Sequence, residues 1–159
     1  MWVVNSQAEN TSRQSNSDLP HVVLEQGSNF VKDAKTADNK QVPILVMFSM
    51  NHCPYCVEVE EDYLKPMLRN KEYEDKVIIR KVRLDGTDDM INFAGKEIDP
   101  NDFSDAYSVS MVPTIVLVDA NGKQLAPSII GITNAHYYSD ELDKSIDKSL
   151  QRIRDVAKR

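Results

Sequence analysis

The feature that most constrains this chain is the junction between the run Val42-Pro43-Ile44-Leu45-Val46-Met47-Phe48 and the tetrapeptide Cys53-Pro54-Tyr55-Cys56. The first is short, apolar throughout and rich in β-branched residues, which predicts a strand buried on both faces. The second opens a helical pattern carried by Val57, Val59, Tyr63 and Leu64, which Pro66 kinks or restarts. Handing a strand over to a helix at this point puts the first cysteine at a helix N-terminus. There the unpaired N–H groups and the positive end of the helix dipole favour a thiolate. Pro54 suits the first helical position, because it has no N–H to leave unsatisfied. The three-residue offset brings the second sulfur back by one turn, within disulfide reach of the first. Cys53 is therefore expected to attack and Cys56 to resolve.

Composition narrows the alternatives. Two cysteines are too few for a disulfide scaffold or a four-thiolate zinc site. A zinc ion would need His52 and a ligand from outside, so no metal is expected. The 159 residues predict one domain, and 41% apolar with 28% charged residues is ordinary for a globular protein. With 19 Lys+Arg against 25 Asp+Glu, the net charge is −6. No basic cluster there is longer than Lys158-Arg159, so no nucleic-acid partner is expected. No apolar run approaches the roughly 18 residues of a membrane span.

Residues 1–20 are rich in Asn, Ser, Gln and Thr and lack periodicity, so they read as a flexible leader or a signal-peptide remnant. Met1-Trp2-Val3-Val4 has the character of the tail of an apolar signal stretch, and Ser6 and Ala8 supply small residues at the −3 and −1 positions of a cleavage site. That pattern favours a periplasmic or secreted location, with a cytoplasmic tail as the alternative. Residues 21–159 are expected to form the folded domain.

Within it, Phe30, Val31, Ala34 and Ala37 predict a helix from Asn29 to about Asp38, with Ser28 as its N-cap. Lys76–Leu84 predicts a second strand. Asp85–Pro100 reads as loop with a short helix near Met90–Ala94, and Asn101–Tyr107 as one or two helical turns. Thr114–Val118 predicts a third strand. The Asn121-Gly122 turn signal then predicts an antiparallel fourth near Lys123–Gly131. Leu142, Ile146, Leu150, Ile153 and Val156 share one face of a closing helix over Ser139–Lys158. This order predicts an α/β fold with a central mixed β-sheet flanked by helices.

Over about Asn29 to Ile153 the chain resembles the thioredoxin superfamily. The resemblance is carried by Val46-Met47-Phe48 leading into Cys53-Pro54-Tyr55-Cys56, by Ser110-Met111-Val112-Pro113-Thr114, and by the Asn121-Gly122 hairpin leading to Gly131. The spacing from Cys56 to Pro113, through Asp85-Gly86-Thr87, Phe93-Ala94-Gly95 and Asp105-Ala106-Tyr107-Ser108-Val109, is more similar to the secreted bacterial SoxW-like group than to thioredoxin. The resemblance implies a thioredoxin-like fold in which Pro113 is a cis-proline packed against the cysteines. It also implies that the Val112 backbone is an edge for a bound peptide. The expected activity is thiol–disulfide exchange, of protein-disulfide reductase type, with no bound cofactor. Protein thiols or disulfides are the expected partners, together with a redox partner that recharges the dithiol, and the chain is expected to be a monomer.

Several positions depart from thioredoxin. His52 replaces the Trp before the first cysteine, and it reads either as an exposed loop residue covering the groove or as a cation stabilising the thiolate. Tyr55 is expected as an exposed substrate contact. Met47 occupies the place of thioredoxin's buried Asp. Lys81 matches the family's buried Lys and, without that Asp, is expected near the surface or paired with Asp85. Glu58, Glu60, Glu61 and Asp62 read as a solvated face complementing the helix N-terminus. The Pro54-Tyr55 dipeptide is typical of glutaredoxins, so a glutathione-dependent reductase is one alternative; no basic residues flank the motif to hold glutathione carboxylates. A redox-inert peptide-binding module is the other, and the intact cysteine pair argues against it.

Overall fold

The computed structural model describes residues 19–159. In chain order the first elements are α1 (Phe30–Lys40), β1 (Ile44–Ser49), α2 (Pro54–Glu58), a π-helical segment (Val59–Leu64) and α3 (Lys65–Arg69). There follow β2 (Ile78–Arg83), β3 (Met90–Ile91), β4 (Glu97–Ile98), α4 (Pro100–Asp105), β5 (Thr114–Val118), β6 (Ile129–Ile130) and α5 (Ala135–Ala157). The leader expected over residues 1–20, with Ser6 and Ala8, falls almost wholly outside the described residues.

All six side chains of β1 are buried, as the continuous apolar run requires of a strand covered on both faces. β1 pairs in parallel with β2 and antiparallel with β5, which pairs antiparallel with β6, giving a mixed sheet of order β2-β1-β5-β6. Alternation along the strands divides the core in two. Leu45, Met47, Ile79, Ile115 and Leu117 face Cys56, Val59, Leu64 and the α5 residues Tyr138, Leu142 and Ile146. Val46, Phe48, Val82, Val116 and Val118 face Phe30 and Ala37 of α1 and Phe103 of α4. The expected mixed sheet between helices is what forms.

Four local expectations are corrected. Asn29, not Ser28, caps α1, accepting hydrogen bonds from the N–H groups of Val31 and Lys32. The short helix expected near Met90–Ala94 is instead the β3–β4 hairpin. The Asn92 side chain accepts from Ala94 and Lys96 N–H, and Gly95 takes φ 78°, so a turn closes there before a helix can start. The fourth strand shrinks to Ile129–Ile130, with Gln124 making one isolated bridge to Val118, because Pro127 has no N–H to continue the ladder. The last helix begins at Ala135, four residues early, since Asn134 caps it by accepting from His136 N–H. Pro66 falls in the first turn of α3, where no N–H is needed. Just before it the ladder widens, and Lys65 N–H reaches back five residues to the Glu60 carbonyl.

Candidate active site

β1 ends at Ser49, and four residues later Cys53 stands as the N-cap of α2, in extended backbone with φ −104° and ψ 103°. Its Sγ accepts the Cys56 N–H at 3.2 Å, so the sulfur itself fills the capping role that a Ser or Asp oxygen usually takes. Cys53 and Cys56 form a disulfide, with Cα atoms 5.2 Å apart. Cys53 is partly exposed, whereas Cys56 is 3% exposed and belongs to the buried apolar cluster that also holds Met47, Val59 and Ile115. An attacking nucleophile can therefore reach Cys53 and not Cys56.

The strand register brings a second loop to this end of the sheet. Phe48 pairs with Thr114, so the segment Met111–Pro113 lies beside the segment that leads to Cys53. The Val112–Pro113 peptide bond is cis. Thr114 Oγ1 donates to Met111 O at 2.7 Å, and Gly131 N–H donates to Pro113 O at 2.8 Å, tying the loop to β5 and to the residue after β6. Val112 and Cys53 both pack against the core cluster that contains Cys56. The neighbouring segments expose several apolar side chains: Tyr55 is 62% exposed, Met111 51%, and Met50 and Ile130 are exposed as well. Pro54 sits at the first position of α2. His52 is exposed, with φ 55°, in the left-handed region that a non-glycine residue seldom adopts.

Lys81 requires a correction. Its ammonium is 2.7 Å from Glu60 Oε2, and Asp85 is engaged elsewhere, accepting the Asn51 N–H at 2.9 Å and standing 3.4 Å from Arg83 Nε. Lys81 and Glu60 are 19% and 18% exposed, and Lys65 approaches Glu60 Oε1 at 3.8 Å. The acidic run is therefore not one solvated face: Glu60 turns inward, while Glu61 stays outside and pairs with Lys65. A sequence signal existed, since Glu60 lies four residues beyond Cys56 on the same helix face. Behind the site Tyr138 packs edge-on against Tyr63, and burial, then the Glu141 charge, pushes its phenol far above the usual range. Among the described residues no group of three or more His, Cys, Asp or Glu converges as a metal site, and no helix is long and apolar enough to cross a membrane.

A family model described as "Thioredoxin-like domain" matches residues 30–146. No curated protein matches the sequence. Among solved structures, the chain is similar to "DsbH Oxidoreductase", with 15% identity over 88% of this chain and 94% of that one and a TM-score of 0.56. Trxlp from Edwardsiella tarda EIB202 is 23% identical, with 76% and 98% covered and a TM-score of 0.53. Thioredoxin NaTrxh from Nicotiana alata is 18% identical, with 82% and 97% covered and a TM-score of 0.52.

Proposed function

Given that the chain belongs to the thioredoxin-like domain family, we propose that it exchanges disulfides with protein substrates, with Cys53 attacking and Cys56 resolving. The observation that carries this reading is the asymmetry of the pair: an accessible sulfur at a helix N-cap, joined to a buried one. In the reducing direction the Cys53 thiolate attacks a substrate disulfide and expels one substrate thiolate. Cys56 then attacks Cys53 Sγ, releases the second substrate sulfur and closes the Cys53–Cys56 bond. The apolar rim of Tyr55, Met111 and Val112 would hold an extended peptide across Cys53, with the Val112 backbone as its edge. His52 covers one side of this groove. The cleavage-site pattern at Ser6 and Ala8 supports work in a periplasmic or secreted setting.

Insulin reduction by dithiothreitol, followed by turbidity, tests the proposal. The wild-type protein should accelerate it and the Cys53→Ser protein should not. Acceleration that survives Cys53→Ser would remove the proposed nucleophile. Acceleration that appears only with glutathione would favour the glutaredoxin-like reading that Pro54-Tyr55 suggests.

A further inference from the structure

Sulfur outside the cysteines is unevenly placed. Among the described residues, Met47, Met67 and Met90 are buried, whereas Met50 and Met111 are 43% and 51% exposed. Both exposed thioethers stand on the segments that the β1–β5 register brings to the cysteine end of the sheet. Met50 follows Ser49, the last residue of β1, and precedes Cys53 by three positions. Its strap is held on both sides: Asp85 accepts the Asn51 N–H at 2.9 Å, and Leu84 N–H donates to Ser49 O at 2.9 Å. Met111 precedes Pro113 by two positions, and its Cε lies 3.7 Å from where a Cβ on Gly131 would stand. The Met111 side chain therefore lies against Gly131, the residue whose N–H holds Pro113 O, next to the exposed Ile130.

A thioether suits such a place. It is unbranched and polarizable, so it adapts to apolar partners of different shape. The same sulfur can be oxidised. With the Cys53–Cys56 bond closed there is no free thiol, so Met50 and Met111 are the reduced sulfurs that a dissolved oxidant meets first. A peroxide or a hypohalous acid transfers one oxygen atom to the thioether, which gives up two electrons. The S=O bond forms, the O–O or O–halogen bond breaks, and water, or halide and a proton, departs. The product is polar, and an apolar side chain docking on it would strip its water and offer no hydrogen bond in return.

We infer that Met50 and Met111 are docking residues whose oxidation state sets substrate choice. As thioethers they hold peptides that carry apolar residues beside the cysteine. As sulfoxides they lose that grip, while Cys53 keeps its own reactivity toward small disulfides.

This inference rests on the proposed exchange, and the test separates the two. The full chain, with its disulfide closed, is treated with limiting hydrogen peroxide, freed of oxidant and mapped by peptide mass spectrometry. Met50 and Met111 should each gain one oxygen atom while Met47, Met67 and Met90 do not. Treated and untreated protein are then reduced with dithiothreitol, which reopens the disulfide, and desalted. Each is assayed on a reporter peptide whose disulfide is flanked by Leu and Phe, and on the small disulfide 5,5′-dithiobis(2-nitrobenzoate). Oxidation should raise KM for the peptide at least about fivefold, the cost of burying one unpaired polar group. The rate of attack on the small disulfide should stay within about twofold, because the Cys53 thiolate is unchanged. Methionine sulfoxide reductases of both stereochemical types should restore the peptide KM. In the Met50→Leu/Met111→Leu protein, treatment should leave the peptide KM where it stood before treatment. Oxidation spread evenly over all five methionines, an unchanged peptide KM in the treated wild type, or a rise that persists in the double variant would each overturn the inference. Failure of the untreated protein on both disulfides would instead overturn the proposed attack by Cys53.

Discussion

Cys53 Sγ accepts the backbone N–H of Cys56 across the first turn of α2, at 3.2 Å. A sulfur at an N-cap meets donors that its own helix cannot satisfy, and a charged sulfur uses them better than a neutral one. The Cys56→Ser protein, which retains Cys53, should therefore ionise well below the roughly 8.5 of an ordinary thiol. Alkylation rates against pH measure this directly. A midpoint near the ordinary value would mean that the helix terminus does not act on the sulfur.

Away from the site, Arg80 and Asp33 tie β2 to α1. Arg80 Nε and Nη2 both donate to the Asp33 carboxylate, at 2.8–3.1 Å, and the Asp33 side chain is 11% exposed. Removing one partner leaves the other charge largely desolvated. Asp33→Ala should cost roughly 2–4 kcal/mol, toward or below the lower end of the ~3–5 kcal/mol seen when buried pairs are broken, because Arg80 retains some solvent and a second partner in Glu25. Urea unfolding checks it, and a loss under about 0.5 kcal/mol would show that Arg80 finds water without strain.

The boundary of the folded domain gives a paired prediction. Leu24 is buried, and Glu25 and Gly27 hydrogen-bond to both backbone groups of Lys81, so this short segment covers the outer edge of β2. Leu24→Ala should cost about 2–4 kcal/mol, whereas deleting residues 1–18 should leave the thermal midpoint nearly unchanged. The reverse ranking would put essential structure in the leader.

How far the sequence alone reached depends on whether the decisive interaction was local. The β1 run, the helix-opening Cys-x-x-Cys and the Asn121-Gly122 turn each declare themselves within a few residues. At that turn Gly122 has φ 79°, and a Cβ there would meet the Phe93 ring at 2.6 Å. Lys81 was harder to read, because its partner lies 21 residues earlier on another element and was chosen by packing. The β3–β4 hairpin was missed for a related reason: two-residue strands carry no period, and side-chain capping by Asn92 decides the turn. At both helix starts that were misplaced, the capping Asn stood within the sequence but competed with a Ser nearby.

That turn also brings an alkaline prediction. Tyr107 donates to the Gly122 carbonyl at 2.7 Å, and its phenol is pushed from 10.0 up to about 12 by burial and then by the Asp119 charge. The folded state thus holds the phenolic proton more tightly than the unfolded chain does. The stability it contributes is complete below about pH 10 and is lost as pH rises through about 12. Tyr107→Phe should be less stable than wild type at pH 8, and the gap should narrow by pH 11. A gap that stays constant over that range would mean that Tyr107 does not titrate with unfolding.

The central claim is that Cys53 forms the bond to substrate and Cys56 releases it. Trapping tests it most directly. The reduced Cys56→Ser protein is incubated with a disulfide-linked reporter peptide at pH 7, quenched in acid and weighed intact by mass spectrometry. The account predicts one peptide adduct, mapped to Cys53, that persists, while the wild-type protein under the same conditions shows only its internal disulfide and free peptide. Absence of an adduct in Cys56→Ser, or equal trapping by Cys53→Ser through Cys56, would contradict it.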